Sequence, residues 1–124
     1  MTSFLLKFPI EPVPASRPRV TKWGVYFGKR YTKFRKEAES VVPEVYSGQP
    51  LSGTLEISVW FYCKRPKSTK RAEPRGDVDN YLKTLDVLNG IVWKDDDQIK
   101  RITAVKRWED EHGPRIELLC VPTT

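Results

Sequence analysis

The sequence predicts an α+β fold, a single domain over residues 1–124 with a mixed or mainly antiparallel sheet packed against two main helices. The length of 124 residues suits one domain, and no repeat or linker divides the chain. Segments of alternating apolar and polar residues predict about four to five strands, and two segments with helical spacing lie between them. Because the two kinds of segment do not alternate strictly, a βαβ arrangement is disfavoured.

The first part of the chain predicts an edge strand, a loop and a helix. Residues 4–10 alternate loosely between prolines, which are confined to sheet edges. Residues 20–31 are typical of a loop or weak hairpin. Apolar residues then recur with helical spacing, so we expect a helix over residues 33–46 with Thr32 as its N-cap.

The second part predicts strands around another helix. Residues 51–62 alternate most clearly and indicate a strand, and the basic, proline-punctuated segment 64–75 indicates a mobile loop. Residues 79–89 have helical spacing and end at an Asn-Gly pair. Two more alternating segments predict the last strands, over residues 98–108 and 115–121.

Cysteine and histidine are too sparse for several kinds of site. Cys63 and Cys120 lie in apolar runs and are expected to be buried thiols in a reducing cytoplasm. His112 is the one histidine, so a Cys/His zinc site lacks ligands and a His-based nucleophile would depend on it alone. No run is long and apolar enough for a membrane span, and we expect that the first residues are not a signal peptide. We therefore expect a cytoplasmic protein without a membrane partner.

The charge is divided unevenly along the chain. Residues 1–76 contain 15 Lys and Arg against 6 Glu, a net of +9, whereas residues 77–100 contain 6 of the 7 Asp and have a net charge of −3. A basic surface can neutralise a polyanion such as nucleic acid, and clustered carboxylates would repel that polyanion unless a divalent cation lay between them. The pattern indicates metal-assisted phosphodiester chemistry, with helix caps and surface turns as the alternative.

Two acidic motifs carry that chemistry. Asp77 and Asp79 are two residues apart where a helix begins, which places both carboxylates on one side, and Lys83 lies one turn further on. The second motif runs from Trp93 to Gln98, between a turn and a strand. If that strand lies beside the start of the helix, both motifs converge on one cation, and Mg²⁺ is the expected ion because it prefers oxygen ligands. N-capping and a solvated helix face remain the alternatives.

The strings G-D-V-D-N-Y-x-K and W-K-D-D-D-Q-I, with D-x-L-N-G between them, resemble the RusA family of Holliday-junction resolvases. An early R-P-R and a following G-x-x-Y also fit, so the resemblance covers nearly the whole chain. It implies a homodimer of phage or prophage origin that cleaves four-way DNA junctions in recombination and repair. It also implies Mg²⁺ as the metal, with Mn²⁺ as a substitute, and no organic cofactor.

The resemblance also assigns residues. The family's acidic residues map onto Asp77, Asp79 and Asp96, and its lysine maps onto Lys83. One extra acidic residue stands before Gln98, so the ligand from the second motif is open among Asp95, Asp96 and Asp97, with Asp96 preferred.

Basic residues in two segments are expected to contact DNA phosphates. The DNA-binding candidates are Arg17, Arg19, Lys22, Lys29, Arg30, Lys67, Lys70, Arg71 and Arg75. Aromatic residues interleaved with the first segment could stack on unpaired bases or belong to the core; they are Trp23, Tyr26, Phe27 and Tyr31. Two other functions remain open: a nuclease for other branched or single-stranded DNA, and a non-catalytic module that binds nucleic acid.

Overall fold

The computed structural model describes residues 2–16, 19–26 and 28–123, with the backbone alone for Arg19, Val25 and Tyr26. Within these residues there are six strands, two α-helices and two 3₁₀ turns. The strands are β1 (Phe4–Phe8), β2 (Arg19–Thr21), β3 (Gly24–Tyr26), β4 (Thr54–Cys63), β5 (Ile99–Trp108) and β6 (Arg115–Thr123). The helices are α1 (Lys29–Val45) and α2 (Val78–Leu82), and the 3₁₀ turns are Lys83–Leu88 and Asp96–Gln98.

Four strands form one mixed sheet in the order β1-β6-β4-β5. The β1–β6 and β6–β4 pairs are antiparallel, whereas β4 and β5 are parallel, with Val59 opposite Leu118 on one side and Ala104 on the other. Strands β2 and β3 form a separate hairpin. A parallel pair needs a long crossover. Here the crossover carries the basic loop, α2 and both acidic motifs. The predicted α+β class with a mixed sheet is confirmed.

The core lies on one face of this sheet, beneath α1 and the helical part of the crossover. Alternate residues of β4 point into it and are at most 2% exposed; they are Leu55, Ile57, Val59 and Phe61. Helix α1 contributes Phe34, Ala38 and Val42. Burial of each large apolar side chain contributes about 1.5–3 kcal/mol. These contacts fix the crossover, and with it the acidic motifs, against the sheet.

Helix α1 begins at Lys29, with Gly28 as N-cap, so the prediction of a start at residue 33 capped by Thr32 was wrong. Tyr31 is buried and stacks on Phe34 with 6.3 Å between ring centroids. The apolar stripe of the helix therefore extends one turn earlier than the aliphatic spacing alone indicated. No helix within the described residues has the length and apolar character needed to cross a membrane.

The predicted helix over residues 79–89 is α-helical only to Leu82 and continues as the 3₁₀ turn Lys83–Leu88. The Thr84 hydroxyl donates to the Tyr81 carbonyl oxygen at 2.6 Å, a local bond that draws the backbone toward tighter winding. Leu85 and Leu88 remain buried, so the apolar face survives the change of helix type. Strand β4 likewise begins at Thr54 and not at residue 51.

Both cysteines are buried, as predicted, and neither forms a disulfide within the described residues. Burial raises the pKa of each thiol above its ordinary value, to about 11 for Cys120. The two thiols are therefore protonated at neutral pH.

Candidate active site

The first acidic motif, residues 76–83, is held by contacts from three other parts of the chain. The Tyr81 ring is buried, with its centroid 5.5 Å from that of the Phe61 ring. Its hydroxyl donates to the Arg75 carbonyl oxygen at 2.6 Å. Lys106 on β5 donates from Nζ to the carbonyl oxygens of Gly76, at 2.5 Å, and Pro74, at 2.7 Å. Together these contacts fix the turn that leads into α2.

Glycine is required at residue 76 for two reasons. Its φ of +95° lies in the left-handed region, and a Cβ there would come within 3.2 Å of Pro14. The turn brings Asp77 to the N-cap position in an extended conformation.

The carboxylates of the first motif point away from the chain. Asp77 and Asp79 are both exposed. Among the described residues the Asp77 side chain accepts no capping hydrogen bond, so the N-capping alternative does not account for it. Lys83 Nζ lies 4.0 Å from Asp79 Oδ2 and donates to Asn80 Oδ1 at 3.3 Å. The motif therefore presents two carboxylates and one ammonium group on the same exposed side.

The second acidic motif, residues 93–98, is built differently. Asp95 is the N-cap of the 3₁₀ turn, where its Oδ1 accepts from the Asp97 backbone N–H at 3.1 Å. Gln98 accepts from the Asp95 N–H and donates to the carbonyl oxygens of Leu51 and Gly53. Asp95 therefore shapes the turn, and Gln98 ties it to the start of β4.

Asp96 has a different partner. The Trp93 ring is fully buried, and its Nε1 donates to Asp96 Oδ1 at 2.8 Å. A rigid indole thus orients this carboxylate while the residue itself remains exposed. Of the three aspartates in this motif, Asp96 has the arrangement typical of an oriented ligand.

The two motifs lie at opposite ends of β5. The first is bound to Lys106, near the end of the strand, whereas Gln98 directly precedes its first residue, Ile99. Lys106 lies seven positions after Ile99, which corresponds to about 23 Å along a strand. Accordingly, no group of three acidic, His or Cys side chains within the described parts of the chain could hold a metal ion. The expectation that both motifs converge within one chain is not met, because α2 starts beside the far end of the strand.

Asp86, the acidic residue between the motifs, has a structural partner. Its Oδ1 accepts from Arg35 Nη1 at 2.8 Å, which raises the pKa of Arg35 and ties the 3₁₀ turn to α1. It therefore stands apart from both motifs.

The predicted DNA-binding residues whose side chains are described are all exposed; they are Lys22, Lys29, Arg30, Lys67, Lys70, Arg71 and Arg75. Arg17 lies outside the described residues, as does the side chain of Arg19. Arg30 lies about 40 residues before Arg71 and Arg75, yet all three line one cleft of about 150 Å³ next to the first motif. The fold thus joins the two basic segments.

The interleaved aromatic residues divide between surface and core. Trp23 is 77% exposed at the turn of the β2–β3 hairpin, where Lys22 Nζ lies 5.0 Å from the ring centroid. Tyr31 belongs to the core. Phe27 and the side chain of Tyr26 lie outside the described part of the chain. Of the aromatic side chains in this group that the structure describes, Trp23 is the exposed one.

Sequence reasoning did not identify the residues that position the motifs. Trp93 and Gln98 flank the second motif, and their place next to the aspartates was the available signal. No local sequence signal pointed to Lys106, because it lies 30 residues from Gly76 and only the β4–β5 pairing brings the two together.

The comparison with family models agrees with the resemblance seen in the sequence. A family model described as Endodeoxyribonuclease RusA matches residues 9–119, which include both acidic motifs. The protein named Uncharacterized protein YqaN, from Bacillus subtilis (strain 168), is 28% identical over 138 residues, covering 92% of this chain and 94% of that protein.

Proposed function

Because the chain belongs to the RusA family of endodeoxyribonucleases, we propose that it is a metal-dependent homodimer that resolves four-way DNA junctions in recombination and repair. Family membership supports an endonuclease that resolves Holliday junctions. The observation that carries the finer proposal is the pair of exposed acidic motifs on an otherwise basic chain. Such a surface can approach phosphates and still present carboxylates to the scissile bond.

The proposed metal ligands are Asp77, Asp79 and Asp96. Carboxylate oxygens are the donors that Mg²⁺ prefers, and Mn²⁺ accepts the same ligands. One chain alone keeps the two motifs at opposite ends of β5, so the proposed site is shared between subunits. Asp77 and Asp79 of one protomer would join Asp96 of the partner subunit.

Strand β5 offers the geometry for such a dimer. It is an edge strand of the sheet, with Ile102 48% and Val105 38% exposed near its middle. A two-fold axis across the middle of β5 would place the Lys106 end of one protomer beside the Gln98 end of the other. Two complete sites would result. A two-fold dimer with two sites also matches a junction in which two opposed strands are cut.

The chain's own groups have distinct roles in this proposal. A bound Mg²⁺ would lower the pKa of a water ligand and offset charge on the phosphate. The buried Trp93 indole orients the Asp96 carboxylate toward the shared site. The Lys83 ammonium, 64% exposed beside Asp79, is placed to offset negative charge as it develops on the phosphate.

The test compares a labelled four-way junction with a linear duplex of equal length, using wild type, Asp77→Asn and Asp96→Asn, each with Mg²⁺ or with a chelator. We expect paired nicks in the junction alone, loss of cutting in both variants and in chelator, and retained junction binding throughout.

Other outcomes separate the alternatives. Cutting of flaps or single strands in preference to the junction would favour a nuclease of different substrate choice. Binding without cutting, under both Mg²⁺ and Mn²⁺, would favour a non-catalytic module. Full activity of either aspartate variant would refute the ligand assignment.

A further inference from the structure

A cleft of about 150 Å³ lies directly beside the first acidic motif. Residues from six parts of the chain meet there: the proline-rich segment after β1, the start of α1, the end of β4, the loop 64–75, α2 and the end of β5. Its aromatic lining comes from Trp108 and Tyr81, and the buried residue Cys63 also lines it. Burial raises the pKa of the thiol, so this part of the lining is neutral.

The rim of the cleft is positively charged. Arg30, Lys64, Arg71 and Arg75 line it, against a single carboxylate, Glu11. That carboxylate is paired with Arg30, with 3.3 Å between Nη2 and Oε1. An aromatic, neutral interior with a cationic rim matches a ligand that is flat and apolar at one end and anionic at the other.

The walls of the cleft are fixed by contacts within the chain. Trp108 Nε1 donates to the Arg71 carbonyl oxygen at 3.1 Å, and the Tyr81 hydroxyl donates to the Arg75 carbonyl oxygen. Pro12, Pro14 and Pro74 complete the walls, and proline rings restrict the backbone there. The cleft is therefore formed before any ligand binds. Its volume is below the 300–1,000 Å³ that is typical of pockets for drug-sized ligands.

We propose that this cleft binds one unpaired nucleotide of the branched DNA, with its base against Trp108 and its phosphate on the rim formed by Arg71 and Arg75. The inference rests on the proposed function and adds a substrate subsite to it. Bases outside a duplex are bound in proteins by stacking on aromatic side chains, with cations along the backbone.

The cleft lies next to the first acidic motif, and this position affects which DNA the protein would prefer. Arg75 and Gly76 connect it directly to Asp77, so a nucleotide in the cleft would place an adjoining phosphate near the acidic motif. A continuous duplex keeps its bases stacked and must open to supply one, whereas a branch point offers bases that are easier to unstack. The cleft would therefore favour branched over linear DNA.

The experiment measures the affinity of full-length wild-type protein for four-way junctions that carry one abasic nucleotide, moved stepwise through the positions around the cleavage site. Binding is followed by fluorescence anisotropy in chelator at fixed salt, so that no strand is cut. We expect one position next to the cleaved bond to weaken binding roughly tenfold, as for loss of one base stack. Equal affinity at every position would overturn the proposal.

A double-mutant cycle then connects the missing base to the cleft. Trp108→Leu should weaken binding of the intact junction by about the same factor but bind the abasic junction like wild type, whereas Trp108→Phe should keep most of the affinity. If Trp108→Leu and the missing base each weaken binding independently, so that their fold-losses multiply, the base binds somewhere other than on Trp108. Thermal melting establishes that each variant is folded. The abasic scan uses wild-type protein only, so its result does not depend on the folding of any variant.

The proposed phosphate contacts on the rim are tested by the salt dependence of junction binding. Arg75→Gln should lower the slope of log affinity against log salt by about one, as expected for one lost phosphate contact. An unchanged slope would remove Arg75 from the subsite. Cleavage of the unmodified junction in Mg²⁺ tests the proposed function separately. Cleavage without the abasic effect would overturn the cleft alone, and the abasic effect without cleavage would leave a binding subsite on a non-catalytic module.

Discussion

The two acidic motifs present carboxylates in opposite ways. In the second motif the chain bonds directly to the carboxylates: Trp93 donates to Asp96, and the backbone of Asp97 donates to Asp95. In the first motif the contacts are to the surrounding backbone, through Lys106 and Tyr81, while the carboxylate of Asp77 extends outward.

This difference concerns what each motif can do before a ligand arrives. An oriented carboxylate such as Asp96 would lose little freedom on binding a cation, whereas Asp77, whose side chain accepts no capping hydrogen bond among the described residues, extends from a fixed turn. In the proposed metal site, the second motif would supply a rigid ligand and the first motif would supply more adaptable ones.

The largest expected effect comes from mixing two inactive variants. Asp77→Asn and Asp96→Asn protomers should each lack activity, because each removes a proposed ligand from every site. In a mixed dimer with shared sites, one site carries both changes and the other carries none. Co-refolded mixtures should therefore recover cutting of one strand, measured as nicked junctions on denaturing gels.

The control for this mixture is a double variant, Asp77→Asn with Asp96→Asn in the same chain, mixed with either single variant. No site is intact in those mixtures, so they should stay inactive. Failure of the two single variants to complement one another, in a preparation that is demonstrably dimeric, would contradict the shared site.

Loss of the indole donor should have the next largest effect. Trp93→Phe removes the hydrogen bond to Asp96 and should lower cleavage about 10- to 100-fold, the range for partners that orient metal ligands. The half-saturating Mg²⁺ concentration should rise with it. Val92→Ala is the matched control, because Val92 directly precedes Trp93 in the sequence and is equally buried. A similar activity loss in both variants would point to general destabilisation.

Detaching the first motif from β5 should have a smaller effect. Lys106→Met keeps the aliphatic stem but loses both hydrogen bonds to the turn, at Pro74 and Gly76. We expect cleavage to fall roughly tenfold, since small displacements of reacting groups slow catalysis, with junction affinity nearly unchanged. Lys100→Met, an exposed lysine on the same strand, serves as the control. Unchanged cleavage in Lys106→Met would show that the turn holds its position alone.

The smallest expected effect concerns Asp110, a carboxylate outside both motifs that pairs with Arg115. Arg115 donates to both oxygens of Asp110 and lowers the pKa of that carboxyl well below its usual range. The pair therefore stabilises the fold above about pH 4, the ordinary value in an unfolded chain, and this contribution is lost as the pH falls further. Asp110→Asn should be slightly less stable than wild type at pH 7, with a smaller difference at pH 3 by urea unfolding. An equal difference at both values would argue against the linkage.

Local patterns predicted most of the fold because they report periodicity and composition. The alternation of residues 51–62 and the helical spacing around Phe34 correspond to β4 and α1 in the structure, with errors at their ends. The sequence also drew attention to both acidic motifs. It could not place them relative to each other, since that depends on which end of β5 meets α2. A contact such as Lys106 with Gly76 arises only from strand pairing and has no local signature.

The position of β5 has a consequence for how the molecule opens. This strand has a single neighbour in the sheet, and its pairing with β4 closes a loop that contains the whole crossover. Edge strands with one ladder are among the first elements to exchange their amide hydrogens with solvent. When β5 detaches, Lys106 leaves the first motif and Gln98 moves away from β4 in the same event. Both motifs therefore lose their supports as one cooperative unit, and the opening free energy of this strand sets the fraction of molecules in which both motifs are held in place.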